Sequence, residues 1–154
     1  MNKKKIVATV LLFAFVQLAF AVDKDKAMYV GGTISTLKEK SDGRMSISDD
    51  KQLVFSQKKS TLLIPYDRIN GLEYGQKAGR RVGVAIMISP IALLSKKRKH
   101  YLTINYLDDR DKQQAVVFEL GKEMVRVTLS GLEARTGQKL EYQDDEARNS
   151  AKGN

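Results

Sequence analysis

The sequence HYLTINYLDDRDKQQAVVFEL (100–120) predicts two strands joined by a polar turn. In residues 100–107, Leu102 and Ile104 alternate with Tyr101 and Thr103, which is the two-residue period of a strand. The next seven residues are all polar, and the apolar run at 115–120 predicts a second strand. This stretch therefore indicates an antiparallel hairpin.

After this hairpin, the apolar period changes from that of a strand to that of a helix. Within KEMVRVTLSGLEART (122–136), Val125, Leu129 and Leu132 recur at positions i, i+4 and i+7. Gly137 follows at a position where helices commonly end. We therefore expect one amphipathic helix at 122–136.

Before residue 100, five further strand candidates follow one another. The clearest is RMSIS (44–48), in which apolar and polar residues alternate. Gly31 and Gly32 indicate a bulge or a close backbone approach, and Pro65 indicates a strand end or a sheet edge. The five candidates are 27–36, 44–48, 52–57, 60–66 and 68–74.

Seven short strands followed by one helix resemble the pleckstrin-homology (PH)-like superfold, with GRAM and bacterial PH-like domains as the nearest type. The segments that carry the resemblance are GGTIS (31–35), DDKQLVFSQ (49–57), LIPYDRI (63–69) and the strand–strand–helix ending, within residues 27–136. The resemblance implies a mainly β fold, a bent antiparallel sandwich or barrel of about seven strands capped by one C-terminal α-helix. It does not extend to the phosphoinositide site of PH domains, because Glu39 and Asp42 interrupt the basic loop.

The first 21 residues have the features of an export signal. Lys3, Lys4 and Lys5 precede an apolar run, and Ala19-Phe20-Ala21 offers a cleavage pattern. We favour cleavage after Ala21, with an uncleaved N-terminal anchor as the alternative. The expected organisation is a signal at 1–21, a domain at 27–143 and a disordered tail at 144–154. The chain contains no cysteine, so disulfides do not stabilise it.

The positive charge of the chain is concentrated in one segment. Removing the three signal lysines from the 27 Lys and Arg residues leaves 24 against 18 acidic residues. Seven of these 24 cations lie between Lys77 and Lys99, where there is no acidic residue. The remaining 17 cations and 18 acidic residues almost balance, so the charge is not spread over a nucleic-acid-binding face.

The segment 76–99 is an insertion that contains a 13-residue apolar run, VGVAIMISPIALL (82–94), between two basic clusters. It is longer than a hairpin connection requires, since two to five residues usually suffice. As a helix, the run would span only ~20 Å, which is short of the ~30 Å hydrocarbon core of a bilayer.

Three placements of this run compete. We favour a run that enters the outer leaflet and returns, with both basic clusters on one membrane face. The second placement is a strand buried in the fold, since a strand covered on both faces also lacks alternation. The third placement, a membrane crossing, is the least favoured because Pro90 interrupts a straight helix.

These observations predict an exported, non-catalytic domain, periplasmic or otherwise in the cell envelope, that associates peripherally with an anionic membrane. The alternative is an adaptor that docks on an integral membrane protein or on a second copy through the same segment. The expected lipid- or partner-binding residues are Lys77, Arg80, Arg81, Val84, Ile86, Met87, Ile88, Ile91, Leu93, Leu94, Lys96, Lys97, Arg98 and Lys99.

The sequence contains no motif of an enzyme, a metal site or a cofactor site. His100 is the only histidine, and we expect it to be a solvated residue at a strand start. Asp108, Asp109 and Asp111 lack the glycine and distal glutamate of a calcium-binding loop, so a hairpin turn explains them. We expect no catalytic residue, no metal, no cofactor and no nucleic-acid partner.

Overall fold

One eight-stranded sheet forms the framework of the protein, and the chain is mainly β as expected. The computed structural model describes residues 25–76 and 99–152. The strands are β1 (Lys26–Gly32), β2 (Ser41–Ser46), β3 (Gln52–Ser56), β4 (Thr61–Pro65), β5 (Ile69–Gly75), β6 (His100–Leu107), β7 (Gln113–Leu120) and β8 (Leu140–Tyr142).

The order of strands across the sheet is β4-β3-β2-β1-β7-β6-β5-β8, with β4 and β8 at open edges. Neighbouring strands are antiparallel except for β5 and β8, which are parallel. The structure thus has eight strands where the sequence predicted about seven. The additional strand, β8, is short and pairs with β5 after the chain has passed through a helix.

The sheet is bent so strongly that its two halves face each other. Phe55 on β3 and Phe118 on β7 are three strands apart in the sheet order, which corresponds to about 14 Å in a flat sheet. Their ring centroids are only 4.7 Å apart, and Tyr29 on β1 packs edge-on against Phe118 at 6.0 Å. The concave side between the halves, here called the inner face, therefore contains the main hydrophobic core.

A helix, α1 (Lys122–Thr136), closes over the inner face. Its buried apolar side chains, Met124, Val125, Leu129 and Leu132, belong to the main core. The bounds predicted from the sequence are confirmed, and Gly137 ends the helix with a left-handed φ of 69°.

The expected tail at 144–154 is instead largely helical, which corrects the sequence prediction. A second helix, α2 (Asp145–Lys152), begins where the Asp144 side chain accepts a hydrogen bond from the backbone N–H of Ala147. Ala147 and Ala151 are one helical turn apart, and both are buried in the main core. Small apolar residues at this spacing gave too weak a pattern for the helix to be predicted.

Gly31 and Gly32 have the role that the sequence indicated. The pairing of β1 with β7 shifts register between Tyr29 and Gly31, which is a bulge. A Cβ atom at Gly32 would collide with the backbone carbonyl of Ala115 on β7. The glycine therefore permits close approach of two backbones in the middle of the sheet.

We predict that Gly137→Ala lowers the free energy of unfolding by about 1–2 kcal/mol, because a Cβ disfavours the left-handed backbone conformation. No other atom lies within 4 Å of the added Cβ position, so the loss reports backbone strain alone. Urea denaturation measures the change. Gly137→Asn is the matched control, since asparagine tolerates this conformation and should lose less. Equal stability of all three proteins would contradict the prediction.

We predict that Phe118→Ala lowers the free energy of unfolding by about 3–5 kcal/mol, because it removes a buried ring and leaves a cavity. Phe118 is fully buried, whereas Leu63 on the edge strand β4 is 50% exposed. Leu63→Ala is therefore the control and should have a much smaller effect in the same urea titration. A loss at residue 118 no larger than that at residue 63 would show that the ring contact does not hold the two halves together.

Candidate functional site

Most of the binding residues predicted from the sequence lie outside the described part of the chain. Of the fourteen, Lys99 is described, and the apolar run 82–94 falls within the range that is not. The structure does define where this segment leaves the fold and where it returns. Those two points, and the surfaces around them, form the candidate site.

The segment leaves and re-enters the fold at one place. Gly75 at the end of β5 is the register partner of Tyr101 near the start of β6. Because β5 and β6 are adjacent and antiparallel, Gln76 and Lys99 lie at the same end of the sheet. The insertion is therefore the connection of a hairpin, and its two basic clusters are attached to a common base.

The N-terminal segment begins at the same end. Ala27 on β1 and His100 on β6 both pair with Leu120 on β7, one from each side. Asp25, which precedes β1, is thus close to the two ends of the insertion. We call this region the insertion end of the sheet, defined by Asp25, Gln76, Lys99 and Gly121.

Lys99 forms an ion pair at the insertion end. Its Nζ donates a hydrogen bond to Oε2 of Glu119 at 2.8 Å, and both side chains are less than half exposed. This hydrogen bond raises the pKa of Lys99, which keeps the ammonium charged. Lys26 likewise pairs with Asp42 at 3.2 Å. Lys99 and Lys26 are therefore both paired with carboxylates at this end of the sheet.

His100 is the first residue of β6, as expected, but its side chain is only partly exposed and is hydrogen-bonded within the fold. Its Nδ1 is hydrogen-bonded to the hydroxyl of Tyr74, 2.5 Å away, and the two rings are nearly parallel. The same hydroxyl lies 3.3 Å from Oγ of Ser150 on α2. Burial lowers the pKa of His100, and the nearby charge of Lys122 lowers it further. Tyr74 is fully buried, and its hydroxyl contacts connect β5 with β6 and with α2.

A second buried surface lies on the convex side of the sheet, and the sequence analysis missed it. Glu73, Thr103 and Val117 are register partners on β5, β6 and β7, with Tyr101 and Val30 beside them. We call these five residues the outer patch; each is at most 5% exposed. The signal was present in AVVF (115–118), whose unbroken apolar run is typical of a strand covered on both faces.

The described residues contain neither a cluster of metal-ligating side chains nor a helix that could cross a membrane. Within 25–76 and 99–152, no group of three or more His, Cys, Asp or Glu side chains is placed to hold a metal ion. In those same ranges, no helix has both the length and the apolar character that a membrane crossing needs.

Comparison with known proteins does not assign the chain to a family. Its sequence matches no protein-family model, and it has no match among curated proteins.

We predict that acidification below about pH 6.5, the usual pKa of histidine, destabilises the protein in part through His100. Because burial lowers the pKa of the folded-state imidazole, the unfolded chain takes up this proton at a higher pH than the folded chain does. The contribution of His100 to the free energy of unfolding is therefore fully present above about pH 6.5 and is lost as the pH falls.

Urea midpoints at pH 7.5 and pH 5.5 measure this loss. Both pH values lie above the ordinary pKa values of carboxylates, so Asp and Glu side chains stay ionised. His100→Gln should show the smaller change in midpoint between the two pH values. Tyr74→Phe is the control because it retains the histidine and should retain the pH dependence. The same pH dependence in His100→Gln as in the unmodified protein would contradict the prediction.

Proposed function

We propose that this protein is an exported, non-catalytic PH-like domain of the cell envelope that binds peripherally to an anionic membrane through the insertion at 76–99. The observation that carries the proposal is the shared position of Gln76 and Lys99 at the insertion end. An apolar run between two cationic clusters suits the boundary between acyl chains and anionic headgroups.

The PH-like part of the proposal is supported by strand order and by the bend. Strands β1 to β4 form one antiparallel series, β5 to β7 form a second, and helix α1 follows directly. The contact of Phe55 with Phe118 folds the two series over a common core, and α1 covers that core. Strand β8 and helix α2 are additions to the pattern that the resemblance implied.

The positions of the first and last residues of the insertion favour binding at the membrane surface over a crossing of the membrane. A single crossing would put the two basic clusters on opposite sides of the bilayer, but both are attached to one end of one sheet. Two crossings need roughly 40 residues, at about 20 for each. The stretch between Gln76 and Lys99 has 22 residues. The segment is therefore suited to enter one leaflet and return.

Burial of the apolar run and attraction of the flanking cations together supply enough free energy for membrane association. The run contains eight large apolar side chains. Burying half of them in the acyl region would contribute at most about 6–12 kcal/mol, from ~1.5–3 kcal/mol for each. Cations near an anionic surface add about 1 kcal/mol each. Because Lys99 is paired with Glu119, the six cations from Lys77 to Arg98 are the main candidates for headgroup contacts.

The N-terminal segment provides a second reason for this orientation. It joins the fold at Asp25, on the same end of the sheet as the insertion. An uncleaved apolar anchor would consequently hold the insertion end toward the membrane. If the signal is cleaved, the insertion acts alone.

We predict that Lys97→Gln/Arg98→Gln weakens binding of the chain 22–154 to anionic vesicles roughly 30-fold, from about 1 kcal/mol for each cation lost. Flotation with vesicles of phosphatidylglycerol and phosphatidylcholine measures the binding constant. Vesicles of phosphatidylcholine alone should bind the unmodified protein more weakly, because they lack the anionic headgroups.

The matched control is Arg110→Gln/Lys112→Gln, which also removes one lysine and one arginine. Both control residues are exposed in the turn between β6 and β7. That turn is at the opposite end of the hairpin, about 27 Å away along eight residues of strand β6. This distance exceeds the ~8–10 Å over which salt screens charges, so the control should bind almost as well as the unmodified chain.

Two further outcomes separate lipid binding from protein docking. Release from vesicles by detergent but not by high salt would support apolar insertion, since salt screens only the charges. Equal binding by the two charge variants would contradict the proposal. Absence of vesicle binding, together with a discrete crosslinked product in native membranes that depends on residues 82–94, would replace it with docking on a membrane protein or a second copy.

A further inference from the structure

Strand β4 is paired with β3 on one side, and within the described ranges no strand lies on its other side. Hydrogen bonds at its two ends fix which residues face which side. The N–H of Gln57 donates to the carbonyl of Ser60 at 2.8 Å, and the N–H of Tyr66 donates to the carbonyl of Lys51 at 2.9 Å. Because successive residues of a strand direct their backbone groups to alternate sides, every second residue of β4 faces away from β3. These outward residues are Thr61, Leu63 and Pro65.

An exposed apolar side chain lies in the middle of this outward edge. Leu63 is 50% exposed, and Val127 on α1 is the other large apolar side chain that is exposed in the described part of the chain. The neighbours of Leu63, Leu62 and Ile64, instead contact the main core. An open strand edge with an exposed leucine at its centre is a template for pairing with another strand.

We infer that β4 pairs antiparallel with β4 of a second copy of this chain, about a two-fold axis at Leu63, so that the two sheets become continuous. In this register the two Leu63 residues exchange two N–H···O bonds, and their side chains cover each other on one face. Thr61 lies opposite Pro65 on either side of the axis, where its N–H donates to the proline carbonyl. Two bonds at the axis and one on each side give four in all.

The charges along this edge favour a copy of the same chain over an unrelated strand. Two exposed lysines, Lys58 and Lys59, precede β4, whereas three exposed acidic residues and one lysine lie at its far end. Lys59 and Asp67 are each four residues from Leu63, in opposite directions. The two-fold axis therefore brings Lys59 of each copy beside Asp67 of the other. The residues at the far end are Asp49, Asp50, Lys51 and Asp67.

Other registers satisfy fewer of these groups. An axis at Leu62 also gives four hydrogen bonds, but it places Asp67 opposite Gln57 instead of a lysine. An axis at Ile64 gives only two, because both outward pairs then contain Pro65, which has no N–H. Lysine and proline ordinarily protect an open edge from pairing. With the axis at Leu63, the lysine meets a carboxylate and the proline contributes its carbonyl.

The strand pair is only five residues long. It is therefore small beside stable specific interfaces, which bury at least ~1,200 Å². We expect a reversible dimer that forms at high protein concentration. The pairing requires neither the insertion nor a membrane, so it stands apart from the proposed function.

Disulfide trapping tests the register, since the chain contains no cysteine of its own. Leu63→Cys puts one cysteine of each copy at the two-fold axis, where Cα atoms about 5.5 Å apart are within the range of a disulfide. The full chain, oxidised in a mild detergent, should give a covalent homodimer in non-reducing electrophoresis. Thr61→Cys is the matched control, because its two copies would be about 13 Å apart along the strand. Val127→Cys, 66% exposed on α1, reports random collisions.

Charge reversal tests the contact between Lys59 and Asp67. Lys59→Asp or Asp67→Lys replaces two ion pairs of the dimer by two like-charge contacts, and each should raise the Kd of the dimer roughly tenfold. The double variant Lys59→Asp/Asp67→Lys restores both pairs with exchanged signs and should return the Kd to within about threefold of the unmodified value. Sedimentation velocity of the full chain in the same detergent measures these constants. Both side chains are exposed, so the variants should keep the urea midpoint of the unmodified protein.

Several results would overturn the inference. They are equal crosslinking of Leu63→Cys and Thr61→Cys, a crosslink of Leu63→Cys to a protein of another size, and no recovery in the double variant. A dimer that resists charge reversal but is lost when residues 82–94 are replaced by a Gly/Ser linker would place self-association in the insertion, and would overturn it as well. Vesicle binding is measured separately, so failure of either proposal leaves the other intact.

Discussion

The contact between Phe118 and Phe55 is the interaction on which the rest of this structure depends. These rings belong to strands that are three positions apart, and they meet only because the sheet folds over itself. The fold-over creates one concave face, which α1 and α2 then close with apolar side chains. It also creates a convex face, and the same bend therefore divides the molecule into a main core and an outer patch.

The sheet order places the two ends of the insertion and the end of the N-terminal segment together. Because β5 and β6 are sequence neighbours and sheet neighbours, the 76–99 insertion leaves and returns at one end. Because β1 and β6 flank β7, the N-terminal segment joins that same end. Lys99 and His100 are held there by Glu119 and Tyr74, so the base of the insertion is attached firmly to the fold.

Prediction from the sequence succeeded where a periodic pattern was long and undisturbed. The helix at 122–136 was located correctly because its apolar stripe runs for several turns and Gly137 ends it. It failed for α2, where Ala147 and Ala151 carry too little apolar surface to stand out. The contact of His100 was also not foreseen, because its partner Tyr74 is 26 residues away in sequence and only strand pairing brings the two rings together.

By itself, the sequence determined the mainly β character, the C-terminal amphipathic helix and the concentration of cations around one apolar run. Each of these follows from local periodicity or from composition, which neighbouring residues express without a fold. Only the tertiary structure decided that the ends of the insertion coincide, that Lys99 is paired, and that Val117 is buried on the convex side. These depend on register between strands distant in sequence, and register is set by the packing of the whole sheet.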